Sequence, residues 1–249
     1  MEQRFLDRVA IVTGAASGMG RATAVRFAAE GARVFGIDMN ADGLAATAEA
    51  IGSAFTGHVA DISKRESCQE SVAACVEALG VPHVLANVAG VLRSAHVVDV
   101  TEADFSLLMG VNVGGTFWMC QATIPLMLES GRGSIVNIAS NAGLMGTAYT
   151  VAYSASKGAV VSMTRSLAME FVRTPIRINC VAPGGVVTPM TDEVQLPEGV
   201  DYKLMAPYVG FRKMADPSEL AAVIAFVASD EARQMHGSIV SADSGLTAG

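Results

Sequence analysis

The chain has 249 residues, a formal net charge of −7 spread along its length, and a hydrophobic fraction of 51%. This acidic balance argues against the basic patch that nucleic acid binding requires, and apolar runs shorter than about 18 residues exclude a membrane-spanning helix. The charged start, MEQRFLDR, lacks the apolar core of a secretion signal, so we expect a cytoplasmic protein without nucleic acid or membrane partners.

The four cysteines and four histidines lack the spacing of metal ligands. Cys68, Cys75, Cys120 and Cys180 include no Cys-x-x-Cys pair, and the histidines are scattered along the chain. We therefore predict free, buried thiols and no metal site.

Short β-rich runs alternate with helical stretches. The predicted strands are RVAIVTG, RVFGID, AFTGHVADIS, HVLANVAG, GSIVNIAS, IRINCVAPGG and GSIVSADSG. Helices are predicted over residues 20–32, 63–80, 101–130 and 153–173, and a further helix begins at Asp216. Ser63 and Glu66 have the spacing of a capping box, and Asp216-Pro217-Ser218-Glu219 combines an N-cap, a proline at N1 and an acid at N3.

This alternation predicts an α/β fold with right-handed crossovers. The expected architecture is a three-layer, Rossmann-type, doubly wound and mainly parallel sheet of seven strands with helices on both faces. We expect one domain over residues 1–249, in which the irregular, apolar segment 188–210 forms a lid over the substrate. Ligands of such sheets bind at the carboxyl ends of the strands, where the motifs described below also fall.

The segment VTGAASGMGR places Gly14, Gly18 and Gly20 between the first strand and the first helix. Glycine permits a tight turn and lets a pyrophosphate approach the N–H groups at the helix start. The spacing is Gly-x-x-x-Gly-x-Gly, and the Gly-Lys-Ser/Thr of a P-loop is absent. Simple chain reversal is the alternative explanation for such a turn.

Asp38 ends the second predicted strand, 18 residues after Gly20. A carboxylate at this position accepts hydrogen bonds from an adenosine ribose and repels a 2′-phosphate. The residues placed to attract that phosphate instead, Ser17 and Met39, are not basic. The sequence therefore favours NAD over NADP, with a turn-forming role as the alternative for Asp38.

Further motifs of one family occur in order along almost the whole chain. The sequence resembles the short-chain dehydrogenases/reductases of the single-domain, classical type in TGAASGMG (Thr13–Gly20), DI (Asp61–Ile62), NVAG (Asn87–Gly90), VNVGG around Asn112, the set Ser140, Tyr153 and Lys157, and PGGVVT (Pro183–Thr188). It departs from the family pattern at Val88, where a second asparagine is usual, and at Met19, where isoleucine is usual.

The resemblance implies an NAD(P)-dependent enzyme that acts on CH–OH groups and assembles as a homotetramer. The catalytic residues that it implies are Asn112, Ser140, Tyr153 and Lys157, with Asn112 binding a water that links Lys157 to solvent. The cofactor-binding residues that it implies are Gly14, Ser17, Gly18, Met19, Gly20, Asp38, Asp61, Ile62, Asn87, Ala89, Gly90, Tyr153, Lys157, Pro183, Gly184, Val186 and Thr188.

The segment AYTVAYSASKGAV contains two tyrosines, and only one has a cation at helical spacing. Lys157 follows Tyr153 by four residues and so shares its helix face. A nearby ammonium favours the phenolate of a tyrosine, whose reference pKa is about 10. Tyr149 has Tyr153 at that offset, which favours a pocket-wall or packing role. Ser140 ends the fifth predicted strand, where its hydroxyl can orient a substrate oxygen.

The sequence therefore predicts NAD(H)-dependent interconversion of a secondary alcohol and a ketone, with Tyr153 as general acid and base. Two alternatives stay open: an NADPH-dependent reductase of 3-oxoacyl thioesters, and a non-catalytic, NAD-binding regulatory protein on the same fold. The expected partners are a small alcohol or ketone substrate and further copies of the chain.

Overall fold

The computed structural model describes residues 3–209 and 212–248. The remaining positions of the expected single domain, residues 1, 2, 210, 211 and 249, lie outside this part of the chain. Position 210 is also the last residue of the predicted lid.

The described residues form one sheet of seven strands, and every paired strand is parallel to its neighbour. The strands are β1 Val9–Thr13, β2 Arg33–Asp38, β3 Phe55–Val59, β4 Val84–Asn87, β5 Gly133–Ile138, β6 Ile176–Pro183 and β7 Ile239–Ala242. Their spatial order is β3-β2-β1-β4-β5-β6-β7. From β1 the successive strands β2 and β3 are added on one side of the sheet, and β4 to β7 are added on the other. The switch point therefore lies between β1 and β4, and sheets of this kind bind ligands at the switch point.

Helices cover both faces of the sheet, as predicted. They are α1 Gly18–Ala29, α2 Ala41–Ile51, α3 Arg65–Leu79, α4 Glu102–Leu108, α5 Thr116–Glu129, α6 Val151–Glu170, α7 Pro189–Asp192, α8 Tyr202–Val209 and α9 Pro217–Ala228. One apolar core packs α1, α2 and α9 on the sheet through residues such as Phe27, Leu44 and Ile224. A second core packs α3, α5 and α6 on the opposite face. The three-layer, Rossmann-type architecture is therefore confirmed.

Three local predictions differ from the structure. The Ser63–Glu66 capping box is wrong: α3 begins at Arg65 after Lys64, which makes no side-chain cap. Asp61 captures the N–H of Ser63 at 2.9 Å, so Ser63 lies in a turn before the helix. Helix α2 was not predicted, although Asn40 caps it by accepting from the N–H of Gly43 at 2.9 Å.

The helix predicted over residues 101–130 is interrupted. A π-helical segment, Met109–Gly115, separates α4 from α5. Gly115 packs against Ile62 so closely that a Cβ there would lie 2.6 Å from Cδ1 of Ile62. π-helical turns are rare and concentrate at functional sites, and this one contains Asn112.

No helix in residues 3–209 and 212–248 is long and apolar enough to cross a membrane. Across the same residues, no group of three or more His, Cys, Asp or Glu side chains could hold a metal ion.

Candidate active site

The glycine turn after β1 is shaped for close approach. Gly14 and Gly18 have φ angles of +72° and +49°, which disfavour side chains. A Cβ on Gly14 would lie 2.9 Å from Cα of Ala89, and one on Gly20 would lie 1.9 Å from the carbonyl oxygen of Gly14. No side chain of the described residues caps α1 at Ser17. The helix N-terminus therefore offers its N–H groups to an anion.

Asp38 is held in place at the end of β2 by two backbone N–H groups. Its Oδ2 accepts from Ala16 and its Oδ1 from Asn40, each at 3.0 Å. The carboxylate thus joins the glycine turn to the turn before α2, so both the structural and the ligand-binding interpretations of this residue have a physical basis. Each oxygen keeps a further lone pair for a donor from outside the protein.

A cleft of about 880 Å³ runs along the carboxyl ends of the strands. Most of the predicted cofactor-binding residues line it: Gly14, Ser17, Gly18, Met19, Gly20, Asp38, Asp61, Ile62, Ala89, Gly90 and Thr188. Residues 91–94 after β4 and residues 188–190 and 193–195 of the segment predicted to form a lid also line the cleft. The glycine turn, the fixed carboxylate and the size of the cleft together fit a dinucleotide.

Six predicted cofactor residues do not line the cleft: Tyr153 and Lys157, described below, and Asn87, Pro183, Gly184 and Val186. Asn87 is 2% exposed, and its Nδ2 donates to Oδ1 of Asn137 at 2.9 Å, which braces β4 against β5. Pro183 is the last residue of β6, and Gly184 and Val186 follow it. Gly184 packs on Asp243, where a Cβ would lie 2.9 Å from its Cα.

Thr13 is a site residue for which the sequence offered no separate role. Its Oγ1 accepts from the N–H groups of Val88 and Ala89 at 3.0 and 3.1 Å. This contact ties the end of β1 to the segment after β4, across the switch point of the sheet. It also fixes the backbone at Val88, the position at which the sequence departs from the family pattern.

Tyr153 and Lys157 lie on one face of α6, as their spacing predicts. Nζ of Lys157 is 5.8 Å from the ring centroid of Tyr153. It donates to the carbonyl oxygen of Ile138 at 3.0 Å, at the end of β5. A Cβ on Gly90 would lie 3.2 Å from this Nζ. The ammonium of Lys157 therefore lies directly behind the cleft wall, between α6 and the sheet.

Burial dominates the electrostatics of this pair. It lowers the pKa of Lys157, which is 4% exposed, to about 8. Burial also raises the pKa of Tyr153, and a hydrogen bond with Ser140 opposes that rise. The sequence led us to expect that Lys157 depresses the pKa of Tyr153. In the structure, loss of water outweighs any such effect.

Ser140 follows β5 and is buried beside Tyr153. Its Oγ accepts from the N–H of Ala142 at 3.1 Å and donates to Oδ1 of Asn141 at 3.0 Å. These contacts set the hydroxyl at the start of a short 3₁₀ turn, Asn141–Gly143. The serine is thereby fixed in direction next to the phenol.

Asn112 is 1% exposed and uses its side chain inside the protein. Its Oδ1 accepts from the N–H of Val91 at 2.8 Å, while Nδ2 donates to the carbonyl of Val91 at 3.0 Å and to Oγ of Ser156 at 2.9 Å. Both amide hydrogens are occupied, so a water bound here would have to donate to an oxygen. The residue ties the π-helical segment to α6, between Tyr153 and Lys157.

Comparison with known proteins identifies the family of this chain. The sequence profile of the short chain dehydrogenases matches residues 8–199. The chain belongs to the short-chain dehydrogenase family. It is therefore an oxidoreductase of a family that acts on CH–OH groups with NAD or NADP.

Relatives of this short-chain dehydrogenase match it end to end. It is 37% identical to 3-oxoacyl-[acyl-carrier-protein] reductase of Thermotoga maritima, with 98% of this chain and 99% of the relative covered. It is 38% identical to D-threitol dehydrogenase of Mycolicibacterium smegmatis, with 98% and 94% covered.

Solved structures agree in fold. Levodione reductase superposes with a TM-score of 0.88 at 33% identity, covering 98% of this chain and 99% of that one. A 3-ketoacyl-(acyl-carrier-protein) reductase from Brucella melitensis, complexed with NADH, superposes with a TM-score of 0.90 at 31% identity and the same coverage.

Proposed function

We propose that this short-chain dehydrogenase interconverts a secondary alcohol and a ketone with NAD(H), and that Tyr153 is its general acid and base. The observation that carries the proposal is the convergence of three side chains: Nζ of Lys157 lies 5.8 Å from the ring centroid of Tyr153, and Tyr153 forms a hydrogen bond with Ser140. Tyr153 and Lys157 come from α6, and Ser140 comes from the end of β5. The end of β5 and the first turns of α6 thus supply a proton donor, a cation and an orienting hydroxyl.

The bound cofactor would supply or accept the hydride, and side chains of the protein transfer the proton. On oxidation Tyr153 accepts the hydroxyl proton of the alcohol, and on reduction it returns a proton to the ketone oxygen. When the hydroxyl hydrogen of Ser140 turns from Oδ1 of Asn141 to the substrate, it donates a hydrogen bond to that oxygen and holds it at the phenol. The ammonium of Lys157 stabilises the phenolate that forms during each cycle.

Asp38 supports NAD as the preferred cofactor. Two backbone N–H groups fix its carboxylate at the cleft, where it is placed to accept hydrogen bonds from the ribose hydroxyls. A 2′-phosphate at this position would meet a negative charge. The Brucella relative complexed with NADH is consistent with this preference.

A reductase of 3-oxoacyl thioesters is the second candidate. Two of the relatives described above are named as reductases of 3-oxoacyl or 3-ketoacyl groups on acyl-carrier protein. A third relative, at 35% identity, is the (3R)-3-hydroxyacyl-CoA dehydrogenase of Rattus norvegicus. Such a substrate has the same CH–OH group at its reacting centre, so the two candidates differ in what lies beyond that carbon.

A substrate screen tests the proposal. Secondary alcohols are offered with NAD⁺ or NADP⁺, and ketones and a 3-oxoacyl thioester with NADH or NADPH, while absorbance of the reduced nicotinamide is followed. We expect turnover of an alcohol–ketone pair with NAD(H) preferred. Preference for the thioester with NADPH would favour the second candidate. NADH binding without turnover of any compound would favour a regulatory protein.

Self-association is part of the proposal. Apolar side chains on the outer surfaces of α4, α5 and α6 are exposed, among them Phe105, Phe117 and Met169 at 47%, 39% and 70%. Exposed apolar area of this kind supports contact with further copies of the chain. A homotetramer is expected in sedimentation or light scattering, and a monomer at micromolar concentration would contradict it.

A further inference from the structure

The lid after β6 consists of α7, the flap loop (residues 193–201) and α8. The flap loop begins at the cleft, which Glu193, Val194 and Gln195 line. It ends at α8, where Lys203 is exposed. Whatever holds this loop controls the side of the cleft where a substrate must enter.

Two aromatic side chains hold the flap loop by its backbone. The hydroxyl of Tyr149 accepts a hydrogen bond from the N–H of Asp201 at 2.7 Å. Nε2 of His96 donates to the carbonyl oxygen of Glu198 at 2.8 Å. The two rings meet edge to face, with centroids 5.2 Å apart and an interplanar angle of 86°. They therefore act on neighbouring points of one turn, at either side of Gly199.

The backbone of Tyr149 is itself unusual. Its φ is +63°, a left-handed conformation that costs a residue with a side chain about 1–2 kcal/mol. Its carbonyl oxygen accepts from the N–H of Ala95 at 2.8 Å and from Oγ of Ser94 at 3.1 Å. The conformation is maintained by contacts to the segment after β4, and such outliers concentrate at ligand clamps and switches.

Tyr149 thus connects three parts of the site. Its backbone binds the segment after β4, its hydroxyl binds the flap loop, and the catalytic helix α6 begins two residues later at Val151. The two segments that it holds both contribute to the cleft, through Ser94 on one side and residues 193–195 on the other.

We propose that Tyr149 and His96 form a latch that closes the flap loop over the cleft, and that Tyr149 is a positioning residue for the substrate. The inference rests on the proposed function only in assigning the substrate to this cleft. The latch sets how often the loop opens, and it acts on substrate binding in preference to the chemical step at Tyr153.

Limited proteolysis tests the latch without any substrate. Trypsin cleavage after Lys203 is timed by mass spectrometry, with cleavage after the exposed Arg173 as internal reference. Cleavage of a transiently opened segment follows its open population when opening is fast. Loss of one hydrogen bond in Tyr149→Phe, or in His96→Phe, which keeps an aromatic ring, should raise this rate about fivefold.

Tyr202→Phe is the matched control, because it removes the same atom from an exposed tyrosine of the same lid. If the hydroxyl of Tyr202 does not hold the loop, the cleavage rate after Lys203 should equal that of the wild type. We therefore expect the two rates to agree within about twofold. Unchanged cleavage after Lys203 in both Tyr149→Phe and His96→Phe would overturn the latch. This result is independent of whether an alcohol or ketone is ever turned over.

Kinetics and a second variant test the positioning role. In Tyr149→Phe the KM of the substrate should rise about fivefold, with kcat changed less than twofold. Tyr149→Gly removes the ring but suits the left-handed backbone, so its Tm should stay within about 3 °C of the wild type while cleavage after Lys203 rises. Raised cleavage with an unchanged KM would overturn the positioning role.

Discussion

Lys157 and Ile138 are joined by a hydrogen bond of 3.0 Å from Nζ to the carbonyl oxygen. The bond connects α6 to the last residue of β5 and leaves an ammonium in the protein interior. Ser140 lies two residues beyond Ile138, so one contact sets the distance between the helix that carries Tyr153 and the strand that carries the serine. Burial of the Lys157 ammonium lowers the free energy of unfolding by an amount that depends on pH.

Replacing Lys157 with methionine should remove that pH dependence. The pKa of Lys157 is lowered from 10.5 to about 8 in the folded protein, so below pH 8 the fold carries a buried charge. Between pH 8 and 10.5 the folded state releases a proton that the unfolded state keeps, and stability rises with pH. Relative to Lys157→Met, the wild type should gain about 2 kcal/mol in unfolding free energy from pH 7 to pH 10.

Urea denaturation of both proteins at each pH measures this difference. Burial raises the pKa of all four cysteines, with Cys180 at about 11 and the other three at about 12, and this lowers stability above pH 9 in both proteins. The comparison cancels the contribution of Cys68, Cys75 and Cys120. Cys180 interacts electrostatically with Lys157, so part of its contribution remains in the difference. A free-energy difference that stays constant from pH 7 to pH 10 would mean that Lys157 is not titrating in this range.

Tyr153→Phe should abolish most turnover without unfolding the protein. The phenylalanine keeps the buried ring and removes the proton donor, so kcat should fall by roughly 10²–10⁴. Binding of NADH, followed by fluorescence, and the melting temperature should stay close to the wild type. A variant with wild-type kcat would refute Tyr153 as the general acid and base.

Asp38→Asn tests the cofactor preference. The amide oxygen keeps an acceptor for the N–H of Asn40, while the negative charge that opposes a 2′-phosphate is lost. We expect the ratio of kcat/KM for NAD to that for NADP to fall by about tenfold or more, or ~1.4 kcal/mol.

Asp42→Asn is the control for this variant. Asp42 is exposed in the first turn of α2 and does not line the cleft, so the same charge is removed from a nearby position. An equal change of the ratio in both variants would assign the effect to net charge, and Asp38 would have no specific role.

Arg177 should contribute strongly to stability away from the site. Its guanidinium donates to the carbonyl oxygens of Val227, Ala228 and Ser229 at 2.8–3.1 Å, at the C-terminal end of α9, where carbonyls lack helical partners. Arg177→Met leaves these groups unpaired, and we expect a loss of about 2–3 kcal/mol.

For a chain of this length the expected loss corresponds to a drop in Tm of roughly 5–10 °C. Arg173→Met, at an exposed position after α6, provides the control and should leave Tm within about 1 °C. Equal Tm values for Arg177→Met and the wild type would show that water replaces the guanidinium at the helix end.

Sequence patterns that span only a few residues were sufficient to predict most of the fold. Strand–helix alternation predicted the layers because each β-rich run and each amphipathic stretch is a local feature. The N-cap at Asp216, the proline at N1 and the acid at N3 are present as predicted, and Glu219 completes a capping box by accepting from the N–H of Asp216 at 2.7 Å. The similar pattern at Ser63 failed because the carboxylate of Asp61 competes for the same turn.

The sequence by itself determined the family, the three-layer fold and the shared helix face of Tyr153 and Lys157, since these follow from spacing and order along the chain. The tertiary structure decided what surrounds them. Thr13 reaches Val88 across the switch point, and Tyr149 reaches Asp201, 52 residues away. It also decided that burial raises the pKa of Tyr153 against the opposing effect of the hydrogen bond with Ser140. Contacts and desolvation depend on distances through space, which spacing along the chain does not contain.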